Sequence, residues 1–267
     1  MRIITVNAVL TAIILIVLVS GAALTSSVTD ASPLGDGAYR SAHRTIGWVA
    51  GMLAAAAALV ITASRGNATV RNLAWTGVGV FAVEAILGLT SLRDGSAGVR
   101  IAHACVAPVF LSIAAAVAVM SGKPWSRPPE LVPDYGTPSM RTMSVISPVL
   151  VMLQIAMGAA FRHQAMGVMP HILGALLVAL FMMIAGAFAM QQFPTHPTIR
   201  PTALWMLAIT GVQVMLGMTA FIMRMMSDSA SAGLIAASVA HVSTGALTLA
   251  ASVVLMMEIR RNVTPKA

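Results

Sequence analysis

Four histidines recur along this chain at intervals of some 60–70 residues: His43, His103, His171 and His241. Neutral imidazole is a metal ligand, and near neutral pH it also moves protons. Each of the four stands close to the beginning of a long apolar run. An ionisable group inside such a run is costly and is functional by default. One histidine of this kind reads equally well as a satisfied structural residue. Four of them, at one position per alternate run, call for a common ligand.

The runs must therefore be placed. The chain has 267 residues, 58% hydrophobic and 9% charged, with mean hydropathy +0.89. A soluble domain is about one quarter charged, so this composition belongs in a bilayer. A span needs about 20 apolar residues, and eight candidates occur, at 3–24, 42–63, 72–92, 100–121, 143–162, 169–190, 201–223 and 233–257. They are too long and continuous for barrel strands, and lipid requires the backbone to be satisfied internally, so all eight are expected to be helices. The first run, following Met1-Arg2, has the outline of a signal peptide, but its likeness to the fifth run predicts that it is retained.

Lysine and arginine set the orientation. With a cytoplasmic N-terminus, Arg2, Arg65, Arg71, Lys123, Arg127, Arg141, Arg200, Arg260, Arg261 and Lys266 fall inside. Arg40, Arg44, Arg93, Arg100, Arg162 and Arg224 fall outside, and ten against six predicts both termini cytoplasmic. The net charge of +8 has this membrane origin. No basic stripe with interleaved aromatics points to nucleic acid. The single cysteine, Cys105, excludes an intrachain disulfide and a cysteine-based zinc site.

The segment SGKPWSRPPELVPDYGTPSMR, 121–141, is rich in proline and charge and reads as a cytoplasmic linker. It divides the chain into an N-terminal half, 1–122, a linker, 123–141, and a C-terminal half, 142–267. The halves resemble each other. VEAILGLTSL (83–92) matches VQVMLGMTAF (212–221), with Glu84 opposite Gln213, and Gly21-Ala22-Ala23 matches Gly158-Ala159-Ala160. Both halves start inside, so the repeat is parallel. The expected architecture is an all-α integral membrane protein of eight transmembrane helices, arranged as two pseudo-symmetric four-helix bundles.

Spans two, four, six and eight carry the histidines and enter from the outer face. All four imidazoles are thus expected in the outer half of the membrane, with His241 deepest at roughly eight residues, or ~12 Å at 1.5 Å per residue. Zinc sites usually add a carboxylate or thiol at tight local spacing, which is missing here. Haem iron accepts an axial histidine on each side, so two helices can clamp one ring. His43 with His103 and His171 with His241 are the expected pairs. Small residues follow each histidine by one turn, at Gly47, Ala107, Ala175 and Gly245, leaving room for a macrocycle. Arg44, Arg100 and Arg162 lie near the histidines on the side where arginine is normally scarce, and they suit propionate carboxylates.

Glu84 is expected to be the only acid buried within a span. It is either a structural hydrogen-bonded residue or, with a raised pKa, a candidate catalytic acid. The twenty methionines read as soft filler. Trp48, Trp75, Trp125 and Trp205 read as interfacial anchors. His196 reads as solvent-facing, and His163 as an interfacial group or a proton shuttle.

With these residues in view, nearly the whole chain resembles the heme A synthase family of cytochrome-oxidase assembly proteins. The likeness rests on the duplicated halves, on AHRTIGWVAG (42–51), like the family's His-Arg-Leu-x-Gly opening of helix two, on QIAMGAAFRH (154–163), and on MPHILGAL (169–176) with VAHVSTGAL (239–247). The resemblance implies oxidation of the C8 methyl of heme O toward heme A. It implies haem b held by His171 and His241, and substrate haem facing His43 and His103. It also implies residence in the plasma membrane, with the haem sites toward the outer face, and partners such as heme O synthase and oxidase assembly factors. Two features depart from the family. Its glutamate three residues before the first histidine is Arg40 here, flanked by Tyr39 and Ser41, and outer-loop cysteines are lacking. A non-catalytic di-haem electron carrier or haem-handling protein of the same fold is the alternative. A transporter is the third reading, since parallel repeats occur there too.

Overall fold

The computed structural model describes residues 35–64, 67–226 and 231–265. Over them run seven long helices: α1 (Gly35–Ala63), α2 (Ala68–Asp94), α3 (Ala97–Met120), α4 (Met140–Arg162), α5 (Val168–Gln192), α6 (Ile199–Met226) and α7 (Ala232–Asn262). Each contains a stretch long and apolar enough to cross a bilayer, which makes this a multi-pass membrane protein. The expected first span, 3–24, lies outside the described residues.

The helices overrun the apolar windows at every N-terminus and at four of the seven described C-termini, because side-chain caps and turns, as well as hydropathy, set their ends. Asn67 accepts the N–H of Thr69 at the start of α2, and the Ser96, Ser139 and Ser231 hydroxyls accept from Val99, Thr142 and Leu234. These side chains satisfy N–H groups that a helix start leaves unpaired. Gly95 adopts φ 61°, the left-handed conformation that lets α2 turn directly into α3.

In the C-terminal half each helix packs on the next, and α7 returns to α4, closing a four-helix ring. Its core interleaves Met182, Met206, Leu255 and Ile259 with Ala185, Ala189 and Ala203. Alanines let the helices approach, and van der Waals contact then holds them where no hydrophobic drive exists. In the N-terminal half α1 packs on α2 and α2 on α3, around Ala58, Ile61, Val70, Ala74 and Val117. The halves meet where α3 lies against α7, through Phe110, Leu111, Ala246 and Ala250. Large apolar side chains such as Leu176, Leu177, Met215 and Trp205 face outward, as lipid contact demands.

The linker is not a loose polar loop. It makes a 3-10 turn (Lys123–Ser126), and its strand β1 (Val132–Pro133) pairs in parallel with β2 (Val263–Thr264) after α7. Arg141 donates to the carbonyls of Arg260 and Val263. Arg261 donates to the carbonyls of Pro124, Trp125 and Arg127, and its guanidinium lies 4.5 Å over the Trp125 ring. Buried Asp134 accepts from Ser139 Oγ at 2.7 Å and from the N–H groups of Gly136, Met140 and Arg141, so it organises the start of α4. Burial opposes the Asp134 charge. The four donors outweigh that and hold its carboxyl below the ordinary range.

Three expectations are corrected at this end of the molecule. Glu84 is not the only buried acid in a helix: Glu258, on a last turn of α7 that the apolar window did not include, is 3% exposed. It accepts from Trp125 Nε1 at 2.8 Å, Thr198 Oγ1 at 2.7 Å and Asn262 Nδ2 at 3.0 Å. Trp125 is therefore a tie between linker and bundle rather than a lipid anchor. His196 is 5% exposed, not solvent-facing. Its Nδ1 accepts from the N–H groups of Thr198 and Ile199, capping α6, so Nε2 carries the proton toward the carbonyl of Glu130 at 3.2 Å.

Glu258→Ala takes the acceptor from Trp125 Nε1 and Thr198 Oγ1, while Asn262 Nδ2 keeps its bond to the residue-258 carbonyl. At about 1–3 kcal/mol per orphaned buried group, chemical unfolding in detergent should show a loss of about 2 kcal/mol or more. Glu258→Gln, which keeps an acceptor oxygen, should lose less.

Candidate functional site

All four span histidines lie in the first third of their helices, on α1, α3, α5 and α7. The fold brings them together in two pairs. His43 and His103 have ring centroids 6.2 Å apart and planes at 83°. His171 and His241 have centroids 6.3 Å apart and planes at 82°. The two halves thus present the same arrangement to within 0.1 Å and 1°.

The intervening helices hold the rings. On α2, Glu84 Oε1 lies 3.1 Å from His103 Nδ1. On α4, Gln154 Nε2 lies 2.9 Å from His171 Nδ1 and donates to the His171 carbonyl at 2.8 Å. On α6, the Gln213 carbonyl lies 3.1 Å from His241 Nδ1. At His241 the neighbour is an acceptor, so Nδ1 carries the proton and the Nε2 lone pair is left for a ligand. At His103 the Glu84 carboxylate stands within ion-pair distance of Nδ1 without hydrogen-bond alignment, and its charge favours the same tautomer. Gln154 Oε1 is buried without a partner. Because the amide nitrogen donates to both the carbonyl and Nδ1 of His171, Nδ1 is the accepting nitrogen there and the ring proton sits on Nε2.

One turn beyond each of these residues stands a glycine: Gly88, Gly158 and Gly217. A Cβ there would meet the Cε1 of the facing histidine at 3.2, 2.9 and 2.7 Å. Each imidazole therefore lies against bare helix backbone. These glycines and the two glutamines were missed in reading the sequence as site residues, although their signal was present. Glu84/Gly88, Gln154/Gly158 and Gln213/Gly217 all have the form Glu/Gln-x-x-x-Gly.

The small residues one turn after the histidines behave unequally. Among the described residues nothing stands near Gly47, whereas Gly245 faces the Gln213 amide and Ala107 packs into the interface between the halves. Among the arginines expected to attend the site, Arg44 and Arg100 are exposed and Arg162 is half-buried. The Arg162 charge acts on His163, His171 and His241, and that of Arg100 acts on His163. Burial and then the charges of Arg162, Arg100 and His103 push His163 down to about 4. His163, at the C-cap of α4, thus sits among groups of both halves. Arg224, at the same end, lies 5.7 Å over the Phe161 ring. Cys105 is a free thiol.

Among the described residues no group of three or more His, Cys, Asp or Glu could hold a metal ion. A bare ion asks for three or four protein donors. Two imidazoles suffice only for a metal that brings its other donors with it.

Gly217→Ala forces a methyl into the His241 ring and should destabilise the purified protein by about 1–3 kcal/mol. Gly47→Ala, which meets no described neighbour, should cost less than Gly217→Ala, as thermal unfolding in detergent would show. His163, with its pKa below the ordinary value of 6.5, binds fewer protons folded than unfolded. Its contribution to stability therefore falls as pH drops from about 6.5 to about 4. His163→Asn should flatten the thermal midpoint over that window.

No protein-family model and no curated protein matches this sequence.

Proposed function

We propose that the chain is a haem-binding membrane oxidoreductase of the heme A synthase type, acting on the C8 methyl of heme O. The observation that carries this reading is the paired imidazoles. Two metal–imidazole bonds of about 2 Å, with the ring radii behind them, separate two centroids by about 6 Å. The pairs stand at 6.2 and 6.3 Å. Their donor set, two imidazole nitrogens with no third ligand among the described residues, would also suit an iron that brings its other donors with it.

In this reading His171 and His241 hold haem b, and His43 and His103 hold the substrate haem. Haem, when bound, supplies the electron and oxygen chemistry. The protein's own part is to fix the ring orientations through Glu84, Gln154 and the Gln213 carbonyl, and to favour the Nδ1 protons of His103 and His241. Arg44, Arg100 and Arg162 are the candidates for the propionates. The helices keep the reacting carbon away from bulk water. An eighth helix, formed by residues 3–24, completes the N-terminal bundle as α4 completes the other. Both termini are cytoplasmic, and the histidine end faces outward from the plasma membrane. This orientation is supported by the ten-to-six division of Lys and Arg. Partners on this reading are the bilayer, heme O synthase and oxidase assembly factors.

A second reading, a di-haem b electron carrier or haem-handling protein, is favoured by Arg40, which stands where the resembled family has its acid. The two readings part on haem content. Purified protein should show a Soret band, and His171→Ala or His241→Ala should each remove one haem equivalent. Heme A or its hydroxylated precursor, extracted after co-expression with a heme O supply, supports the enzyme. Haem b alone supports the carrier. A colourless preparation saturated with haem overturns both.

A further inference from the structure

The two histidine pairs have the same geometry but different chemistry behind the rings. At the Glu/Gln-x-x-x-Gly position, α2 carries Glu84, whereas α4 and α6 carry Gln154 and Gln213. The duplication acts as an internal comparison. Spacing and ring angle are shared by the pairs, a supporting glycine stands behind His103, His171 and His241, and among the described residues the replacement of an amide by an acid is confined to the N-terminal half. Glu84 Oε1 is 3.1 Å from His103 Nδ1, and the Glu84 side chain is 13% exposed, so water screens the contact little. In the C-terminal half His171 faces an amide and His241 a peptide carbonyl.

We propose that Glu84 is a positioning residue that makes the N-terminal pair the more electron-rich site. Its carboxylate, 3.1 Å from His103 Nδ1, favours the ring proton on that nitrogen and so strengthens the imidazole as a donor through Nε2. Negative charge one ligand away from a metal also favours the metal's more oxidised, more positive state. Iron held by His43 and His103 is therefore harder to reduce than iron held by His171 and His241. The proposal rests on the haem reading above. It moves Glu84 from candidate catalytic acid to a residue acting through His103, and it fits the occurrence of glutamine, not an acid, at both equivalent places.

The test is a spectroelectrochemical titration of the full-length protein loaded with excess iron protoporphyrin IX. Two one-electron waves are expected, the lower one lost in His43→Ala and His103→Ala. Glu84→Gln, which gives α2 the residue its two counterparts carry, should raise the lower wave by about tenfold in the reduction equilibrium, or ~59 mV for one electron. The upper wave should stay where it is. Gln154→Glu should lower the upper wave instead. If both haems bind and neither variant moves its own wave, or if Glu84→Gln moves the upper one, this proposal fails while the haem reading stands. Should Glu84→Gln lose its haem, Gln154→Glu still decides: an upper wave that does not fall overturns the idea. If no haem binds, or only one that depends on His171 and His241, the haem reading of the N-terminal pair falls and takes the proposal with it.

Discussion

Everything at the histidine end depends on one close approach: an imidazole laid against a glycine of the preceding helix. The ring fits because Gly88, Gly158 and Gly217 have no side chain where the histidine Cε1 comes within 3.2 Å or less of a would-be Cβ. That contact brings Nδ1 within reach of Glu84, of Gln154 or of the Gln213 carbonyl. The ring is then held from behind, and its other nitrogen is the one left to act. Histidine, glycine and polar residue form one unit, and the unit occurs three times in the described residues.

The opposite end works by different physics. There the linker crosses from one half to the other, and its polar backbone could not be left unpaired beside a membrane. Glu258, Asn262 and Arg261 reach it from α7, Arg141 ties the start of α4 to the end of α7, and His196 both caps α6 and donates to the linker. The bundle is thereby fastened at the linker end and adapted at the other. Between the ends, alanines and methionines supply close packing without directional bonds, which is how helices associate in lipid.

Much of this was legible in the chain. Seven of the eight expected spans appear as helices, because twenty apolar residues in a row have few other fates in a bilayer. The pairing of His43 with His103 and of His171 with His241 followed from counting spans, since alternate helices begin at one end. What was not legible involved side chains whose role depends on a neighbour distant in sequence. His196 looked like a loop histidine because its acceptor, the Glu130 carbonyl, lies 66 residues away. Glu258 looked like the exposed end of a span because its donors come from the linker and from the start of α6. The small residues after each histidine drew attention that belonged to the glycines opposite, since a helix face is visible in sequence and its partner face is not.

The sequence by itself determined that the molecule is a helical, multi-pass membrane protein, where its seven described spans lie, and that its four span histidines stand near the starts of alternate helices. These are consequences of periodicity and hydropathy, which act along a single helix. Only the tertiary structure decided what each histidine touches: a carboxylate at His103, an amide at His171, a peptide carbonyl at His241. Those partners sit one helix away at a register that apolar composition leaves free, and packing alone selects it.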